Sequence, residues 1–313
     1  MPTESFEPSY LALWRSGELA ARTREAYRRL EACALCPRRC GANRRVSAKG
    51  AVCRTGERAV VSSYHAHLGE EAPLVGRHGS GTIFFSYCNL RCQFCQNYQI
   101  SHLGEGREVE PEELASMMLH LQERGCHNIN LVSPTHVVPQ ILAALLLAAQ
   151  AGLRLPLVYN TGGYDALETL RLLDGVVDIY MPDMKYADAE IGQKYSGVPD
   201  YPAVNRAAVK EMHRQVGDLV LDAQGIAQRG LLVRHLVLPE RLAGTPEIMR
   251  FLATEISQNT YLNIMDQYRP CYKAHQMPPL DRPITRLEYL TALGYAAEAG
   301  LHRLDRPRRR ILW

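Results

Sequence analysis

The chain has 313 residues, and 36 lysines and arginines against 33 aspartates and glutamates give it a formal net charge of +3. Hydrophobic residues make up 46% of it and charged residues 22%, a balance typical of a soluble globular protein and not of a disordered one. The near-neutral charge argues against a dedicated nucleic-acid binder. The longest apolar run, Ile141 to Ala149, is much shorter than the roughly 20 residues that span a bilayer. Because the N-terminal residues show no signal-peptide pattern, we expect a cytoplasmic protein that binds neither membranes nor nucleic acid.

The N-terminal region combines a helical pattern with a cysteine-rich stretch. Apolar residues spaced along 11–31 predict one amphipathic helix. The following segment, 33–56, is rich in Arg and Gly and has no clear period, so we expect a loop that something other than an apolar core holds in place. We therefore predict an N-terminal extension over 1–75.

Strand and helix signals alternate from residue 81 onward. Strands are predicted at 81–86, 129–133, 155–160, 176–181, 231–238 and 261–266. Helices are predicted at 111–125, 136–152, 165–173, 246–257 and 286–300, with further helical patterns between 182 and 216. Serial strand–helix units imply a parallel sheet, and six units are too few for a closed eight-unit barrel. The fold class is therefore predicted to be α/β, a partial (β/α)6 barrel over 76–305 followed by a basic tail at 306–313, with a doubly wound open sheet as the competing topology.

Nine cysteines are present, and seven of them form two clusters. In the cytoplasm cysteines stay reduced, so clusters of them usually hold metal or do chemistry. Cys126 and Cys271 stand alone. The clusters comprise Cys33, Cys36, Cys40 and Cys53 in the first, and Cys88, Cys92 and Cys95 in the second.

The second cluster has the spacing C-x3-C-x2-C within TIFFSYCNLRCQFCQN, residues 82–97. It follows the first strand of the α/β series, at the end where parallel sheets place their sites. Thiolates suit zinc or iron–sulfur clusters, and structural zinc normally takes four protein ligands. Three cysteines on a [4Fe–4S] cluster would leave one iron open to bind a small molecule.

This motif, with Phe94 before its last cysteine, resembles the radical S-adenosylmethionine (SAM) superfamily. The resemblance implies that Cys88, Cys92 and Cys95 hold a [4Fe–4S] cluster whose open iron chelates the amino and carboxylate groups of SAM. It also implies that the reduced cluster delivers one electron to the sulfonium. The 5′-deoxyadenosyl radical that forms when the C–S bond breaks then abstracts hydrogen from a substrate, with Phe94 in the cofactor site.

More of the chain is similar to one branch, the pyruvate formate-lyase activating enzymes and their PflX-like relatives. The segments NTGGY (160–164) and MPDMK (181–185) look like the ends of that branch's third and fourth strands. The resemblance implies a monovalent cation beside the methionyl group of SAM. Asn160 stands where the branch has Asp, which lowers the negative charge of that site. Arg234 matches the arginine that pairs with the SAM carboxylate. The positions carried over for the cation are Asn160, Thr161, Met181 and Asp183.

One segment departs from the superfamily pattern. Where Gly-Gly-Glu commonly follows the second strand and contacts the amino group of SAM, this chain has Ser133, Pro134, Thr135 and His136. Uncharged oxygens would accept from that amino group more weakly than a carboxylate does. The departure predicts a subgroup distinct from established glycyl-radical activators.

The first cysteine cluster has the spacing C-x2-C-x3-C-x12-C. Four thiolates match a closed structural zinc site and would equally suit a second Fe–S cluster. Bound metal would supply folding energy to a segment with so little apolar content, and unligated cysteines are the remaining alternative.

Two predictions concern residues outside the clusters. Cys271 follows the sixth predicted strand and should face the barrel mouth, either as a reactive thiol or as a small buried group. His65, His67 and His78 lack ligand spacing and are interpreted as loop histidines.

The leading hypothesis is therefore a radical SAM oxidoreductase that abstracts hydrogen from a substrate, possible partners being an electron donor such as flavodoxin or ferredoxin and a glycyl-radical protein. Modification of a small molecule or of another peptide is the alternative within the same class. A non-catalytic zinc or Fe–S metalloprotein is the alternative from a different class, and it predicts four-cysteine closure at both clusters. No catalytic residue is singled out.

Overall fold

The computed structural model describes residues 6–305, so the predicted basic tail at 306–313 lies outside the described residues. The N-terminal helix prediction is wrong in one respect, because 11–31 is not one helix. Tyr10–Arg15 (α1) and Glu18–Arg28 (α2) are separate helices. Gly17 between them has φ 80°, a left-handed conformation that ends one helix and that glycine adopts without strain.

A single mixed sheet forms the centre of the fold. Its strands run in the order β3-β1-β2-β4-β5-β6-β8-β7, and β9 pairs with β8. The nine strands are Ala59–His67 (β1), Ser80–Phe85 (β2), Arg107–Val109 (β3), Ile129–Val132 (β4), Leu157–Thr161 (β5), Ile179–Pro182 (β6), Val220–Leu221 (β7), Ala227–Leu236 (β8) and Tyr261–Met265 (β9).

Six of these strands, β2, β4, β5, β6, β8 and β9, are mutually parallel and follow one another in chain order. In a doubly wound sheet, the order of the parallel strands across the sheet reverses its direction at one point. The parallel strands of this sheet show no such reversal. Within residues 6–305, β9 pairs with no strand at the β1–β3 edge, so the sheet curves without closing. The prediction of a partial (β/α)6 barrel is confirmed.

Helices cover one face of the sheet and share a core with it. Ile83, Leu131 and Tyr159, on three adjacent strands, are buried in the same core as Met118 and Leu142 of the helices. The helices that follow α2 are Ala72–Val75 (α3), Pro111–Glu123 (α4), Val138–Gln150 (α5), Leu167–Leu172 (α6), Ala189–Ser196 (α7), Tyr201–Val216 (α8), Thr245–Phe251 (α9) and Arg286–Glu298 (α10). Among residues 6–305, no helix combines the length and the apolar character that crossing a membrane requires.

The strand β1 was not predicted, and it lies within the stretch assigned to the N-terminal extension. It pairs antiparallel with β2 and β3. Its later residues are exposed or only partly buried, so the continuous apolar run expected of a covered strand is missing from the sequence. The interpretation of His65 and His67 as loop histidines is wrong, because both lie on β1 and contact the ring of Phe84.

The segment between β1 and β2 closes the amino-terminal end of the barrel. Leu74 of α3 packs with Val158, Ile179 and Leu232, which fill the barrel interior at this end. The Nδ2 of Asn128 donates to the Leu74 carbonyl at 2.9 Å, and this hydrogen bond holds α3 against the sheet. The open space of the barrel is therefore at the opposite end, where the parallel strands finish.

Candidate functional site

A cavity of ≈ 240 Å³ lies at the carboxyl ends of the parallel strands. The structure brings to it the three cysteines and most of the residues that the resemblance assigned to SAM and its neighbouring cation, whereas Met181, also assigned to the cation, is fully buried and does not line it. Their ligand roles stay predictions, and they come from the carboxyl ends of four different strands, β2, β5, β6 and β8. The residues that line the cavity include Cys88, Cys92, Cys95, Phe94, Asn160, Thr161, Asp183 and Arg234.

The sulfur atoms of the three-cysteine loop receive hydrogen-bond donors from their surroundings. The Leu90 N–H donates to Cys88 Sγ at 3.4 Å, and the Ser196 hydroxyl donates to Cys92 Sγ at 3.0 Å. The Ser101 hydroxyl lies 3.1 Å from Cys95 Sγ. Donors of this kind stabilise thiolates and tune the potential of iron–sulfur clusters.

Burial works against ionisation of the free thiols. It raises the pKa of Cys88, and the charge of Cys92 adds to the effect. It raises the pKa of Cys95 to about 11, again with Cys92 as the next contributor. A bound cationic centre reverses this balance because metal ligation deprotonates a thiol. Burial alone therefore favours neutral thiols at Cys88 and Cys95, and their ionisation would depend on a bound metal centre.

The three-cysteine loop does not form a ready site for a single metal ion. Within residues 6–305, no three His, Cys, Asp or Glu side chains stand close enough together to hold one metal ion. A [4Fe–4S] cluster binds each thiolate through a different iron, so its ligands stand further apart than those of one ion. The donors to the sulfur atoms and the adjoining cavity agree with the cluster.

The backbone of this loop is strained and held from several sides. Tyr87 and Arg91, next to Cys88 and Cys92, have φ values of 66° and 63°, in the region that non-glycine residues rarely adopt. The side chain of Asn89 donates to the Tyr164 carbonyl at 2.7 Å, and the Gln93 N–H donates to the Tyr195 carbonyl at 2.8 Å. These contacts hold the conformation that places the sulfur atoms at the cavity.

Phe94 forms part of the cavity wall and is 5% exposed. Its ring packs edge-on against Tyr186 and Tyr268, with centroids 6.3 and 6.0 Å away. This packing fixes the ring beside the cysteines and excludes water from that side of the cavity.

A network of charged groups forms the polar side of the cavity. Asp183 accepts from Arg234 Nε at 2.9 Å and from Lys185 Nζ at 2.5 Å. Arg234 Nη2 also donates to Asn160 Oδ1 at 2.8 Å, and Arg234 Nη1 lies 3.9 Å from Glu70. The arrangement places two cations around one carboxylate on three adjacent strand ends.

The pKa values of these groups follow from that pairing. Burial alone would raise the pKa of Asp183, but the attraction of Arg234 and Lys185 outweighs it and lowers that pKa. Burial opposes the charge of Lys185 and would lower its pKa, but the attraction of Asp183 outweighs burial and raises that pKa. All three groups are therefore charged, and because Asp183 already faces two cations, the electrostatics do not favour a further monovalent cation at this carboxylate.

Thr161 lines the cavity, but its hydroxyl donates a hydrogen bond to a buried carboxylate behind it. Asp165 accepts from the hydroxyls of Thr161 and Thr135, each at 2.7 Å, and from Tyr159 at 3.0 Å. The intervening turn passes close to the strand β6, since a Cβ at Gly163 would stand 2.2 Å from the Asp183 carbonyl. The sequence NTGGY is therefore required for close packing as well as for the cavity.

In the segment that replaces Gly-Gly-Glu, only one of the three polar residues lines the cavity. Ser133 lines it, with φ 60°. Thr135 is committed to Asp165, and His136 is fully buried with Nε2 3.0 Å from the Ser86 carbonyl. Burial lowers the pKa of His136 to about 3, so it is a neutral structural residue.

The four N-terminal cysteines lie together beside α2, away from the cavity. Burial raises the pKa of Cys36 to about 12, and the charges of Cys53, Cys33 and Cys40 add to it, which shows that the four thiols are neighbours. Among residues 6–305, no three His, Cys, Asp or Glu side chains are close enough together to hold one metal ion, and this applies to these four cysteines as well. Structural zinc or a second Fe–S cluster at these residues stays a prediction.

Cys271 does not line the cavity with the other cysteines. It is partly exposed and lies in a separate hollow with Tyr98, Tyr272 and His275. That Cys271 faces the barrel mouth stays a prediction. The loop after β9 contacts the three-cysteine loop, where the Lys273 N–H donates to the Gln93 carbonyl at 3.0 Å.

Several residues near the cysteines were missed by the sequence analysis. Ser196 donates to Cys92 Sγ, and Ser101 Oγ lies 3.1 Å from Cys95 Sγ. His102 Nε2 lies 2.9 Å from the Cys92 carbonyl, and its ring stacks on Tyr272. His102 and Ser101 lie on a short π-helical segment, Gln99–Leu103, directly after the motif. Because Ser101 and His102 follow the motif closely in the sequence, their proximity to the cysteines could have been predicted. Nothing in the sequence connects Ser196 with Cys92.

Comparison with known proteins agrees with this geometry. A model of the radical SAM superfamily matches residues 82–221, which include the three cysteines and the strands β2 to β6. The chain belongs to the radical SAM superfamily. This membership implies a [4Fe–4S] cluster and SAM as its cofactors.

A curated relative, "Uncharacterized protein MJ0674" from Methanocaldococcus jannaschii, is 33% identical over 279 residues, which are 86% of this chain and 75% of that protein.

Two solved structures resemble this radical SAM protein at low identity. One is the crystal structure of a radical SAM methyltransferase from Sphaerobacter thermophilus, with TM-score 0.46, 13% identity, and 70% of this chain and 64% of that chain covered. The other is native anSMEcpe with bound AdoMet, with TM-score 0.47, 11% identity, and 68% and 57% covered. This chain spans less than two thirds of the length of either.

Proposed function

We propose that this radical SAM protein cleaves SAM reductively at a [4Fe–4S] cluster held by Cys88, Cys92 and Cys95, and uses the product to abstract hydrogen from a substrate. The observation that carries the proposal is the position of these three thiols, which border one cavity together with an apolar wall and a charged network. When bound, the cluster supplies the electron that breaks the C–S bond of SAM.

The charged network is suited to orient SAM. Arg234 carries five N–H donors and uses Nε for Asp183 and one Nη2 hydrogen for Asn160, while its Nη1 group lies 3.9 Å from Glu70. The carboxyls of Asp183 and Glu70 face Lys185 and Arg234, so the unused N–H donors of Arg234, and not an excess of positive charge, favour an anionic group on this side of the cavity. We assign it to the methionyl carboxylate of SAM.

The amino group of SAM has a weaker partner here than a Gly-Gly-Glu segment would give. Ser133 is the residue of the replacing segment that reaches the cavity, and a hydroxyl accepts less strongly than a carboxylate. Phe94, Leu90 and Val132 form apolar parts of the wall, and they exclude water from the place where the C–S bond breaks.

The test is SAM cleavage by the anaerobically reconstituted protein. With iron, sulfide, dithionite and SAM, the wild-type chain should release 5′-deoxyadenosine, and the Cys88→Ala variant should release none above background. Equal yields from the two proteins would overturn the proposal. A SAM-induced change in the EPR spectrum of the reduced cluster would exclude the non-catalytic metalloprotein.

The substrate class is a finer proposal that rests on the sequence resemblance. Activation of a glycyl-radical protein requires that a peptide loop enters the open barrel mouth, whereas a small molecule or another peptide needs no such partner. An EPR doublet on a co-expressed glycyl-radical protein would support activation. Flavodoxin or ferredoxin is the proposed electron donor, and NADPH-dependent SAM cleavage through a flavodoxin reductase would test it.

A further inference from the structure

The N-terminal cysteine segment contacts the three-cysteine loop through one arginine. Arg38 lies between Cys36 and Cys40, and its Nε donates to the Asn89 carbonyl at 2.9 Å. Its Nη2 donates to the Leu90 carbonyl at 3.1 Å. Asn89 and Leu90 stand between Cys88 and Cys92, so the guanidinium binds the backbone that sets the spacing of two predicted ligands.

The same guanidinium also binds the end of α7. Nη1 donates to the Gly197 carbonyl at 2.8 Å, and Nη2 donates to the Ser196 carbonyl at 3.2 Å. Ser196 is the residue whose hydroxyl donates to Cys92 Sγ. One side chain therefore joins the peptide groups beside two of the three sulfur atoms, and a planar fork with five donors is suited to this task.

Two further arginines of the segment reach the surroundings of the loop. Arg54, directly after Cys53, donates to the His102 carbonyl at 3.3 Å, and His102 contacts the Cys92 carbonyl. Arg44 is buried and donates to the carbonyls of Thr55 and His136 at 2.7 Å each. These contacts fix the segment against the carboxyl end of the barrel.

The position of Arg38 depends on how the cysteine segment folds. The Arg39 N–H donates to the Cys36 carbonyl, and the Cys33 N–H donates to the Ala42 carbonyl, both at 3.0 Å. The Thr169 hydroxyl donates to the Leu35 carbonyl at 2.8 Å and anchors the turn on α6. A change in the four-cysteine segment is thus transmitted to the Arg38 side chain through a short stretch of hydrogen-bonded backbone.

We propose that the N-terminal cysteine segment positions the three-cysteine loop through Arg38, so that the two cysteine clusters are mechanically coupled. Arg38 is a positioning residue, since it touches the backbone of the loop and not the sulfur atoms. The consequence for cluster binding rests on the proposed function, whereas the ordering of the loop does not.

The first experiment measures the ordering directly. Arg38→Gln is compared with Arg39→Gln, the adjacent arginine, whose side chain is exposed and pairs with Glu168. Hydrogen–deuterium exchange of peptides that cover 86–98 should be faster in the Arg38 variant and unchanged in the Arg39 variant. Arg38→Lys keeps the positive charge but lacks the planar guanidinium with its five donors, so it should give an intermediate exchange rate. Equal exchange in both glutamine variants would overturn the proposal, whatever metal the protein holds.

The second experiment measures the consequence for the cluster in reconstituted protein. Partners of metal ligands commonly change metal affinity by about 10- to 100-fold, so iron loss to a chelator should be about tenfold faster in Arg38→Gln than in Arg39→Gln. The EPR spectrum of its reduced cluster should also change. Faster exchange with unchanged iron loss would overturn the effect on the cluster. Wild-type protein that binds no cluster, with the exchange difference intact, would overturn the proposed function instead.

Discussion

The three cysteines of the loop after β2 border a cavity, whereas Cys33 and Cys40 of the N-terminal segment pack beside α2 with Leu30 and Leu35. Hydroxyl and amide donors reach the sulfur atoms of Cys88, Cys92 and Cys95. In the N-terminal segment the side-chain donor to a sulfur is Arg44 Nη1, 3.6 Å from Cys33 Sγ. The charged network of Asp183, Lys185 and Arg234 has no counterpart beside the N-terminal cysteines among residues 6–305.

This difference shows how the same residue type serves two kinds of site. Structural metal sites are closed by protein ligands, whereas catalytic sites keep a position open for a small molecule. The three-cysteine loop has the open geometry, because its thiols and a polar wall face shared space. The four cysteines of the N-terminal segment lie outside this cavity, and Arg38 and Arg54 of that segment contact the three-cysteine loop and its surroundings.

The largest expected effect is at the charged wall of the open site. Arg234→Gln removes the guanidinium that pairs with Asp183 and with the amide of Asn160, and it leaves Lys185 as the remaining partner of the carboxylate. Breaking a buried pair in this way costs about 3–5 kcal/mol of unfolding free energy. Urea denaturation measures this cost, and isothermal titration should show that SAM binding is lost. Arg250→Gln, at an exposed position on α9, is the control. A variant within about 0.5 kcal/mol of wild type would show that the wall does not depend on this pair.

The next effect tests the four N-terminal cysteines. Cys53→Ser should remove the metal of the N-terminal segment and lower the unfolding free energy by on the order of 3 kcal/mol, because that metal supplies folding energy. Metal analysis should find that zinc, or part of the iron, is lost while the iron of the three-cysteine loop stays. Cys126→Ser, in the apolar core, destabilises the protein without metal loss and is the matched control. Unchanged metal content in Cys53→Ser would contradict the prediction that these four cysteines bind metal.

A smaller effect concerns a buried carboxyl beneath the open site. Burial raises the pKa of Glu70 to about 7, and the neighbouring Glu71 adds to this while Arg234 opposes it. The folded protein therefore holds a proton that the unfolded chain has lost, and stability falls as pH rises from about 4.5 to about 7. Glu70→Gln mimics the protonated form, so it should be more stable than wild type at pH 8 by on the order of 2 kcal/mol and equal at pH 4. The exposed Glu123→Gln should change neither value, and a gain for Glu70→Gln that is the same at both pH values would contradict the pKa shift.

The parallel strands could be predicted from the sequence because each is a short apolar run covered on both faces. The eight residues that converge on the cavity could be predicted because the motif and the strand ends lie at one end of such a sheet. β1 could not, since its exposed residues break the apolar pattern, and neither could the break at Gly17 within a continuous amphipathic period.

The contacts that shape the site were harder to predict than its ligands. Ser196 meets Cys92, and Arg38 meets Asn89, only after distant parts of the chain have packed together. The replacement of Gly-Gly-Glu predicted three polar side chains near SAM, but two of them satisfy buried partners. A polar residue in such a segment can form hydrogen bonds within the buried core as readily as it can line the cavity. The sequence does not distinguish these two positions.

The smallest effect separates the two cysteine clusters by redox potential. Tyr186 OH lies 2.8 Å from Ser196 Oγ, which donates to Cys92 Sγ, and such donors stabilise the more electron-rich reduced state of a cluster. Ser196→Ala should therefore lower the potential of the three-cysteine cluster by on the order of tens of millivolts, as measured by EPR-monitored redox titration. Ser101→Ala, beside Cys95, should shift it in the same direction, and Ser63→Ala, exposed on β1, should leave it unchanged. If the N-terminal cysteines hold a second cluster, its potential should stay constant in all three variants, because none of these serines contacts its thiols. A shift confined to that second signal would mean that the sulfur donors described here belong to the wrong centre.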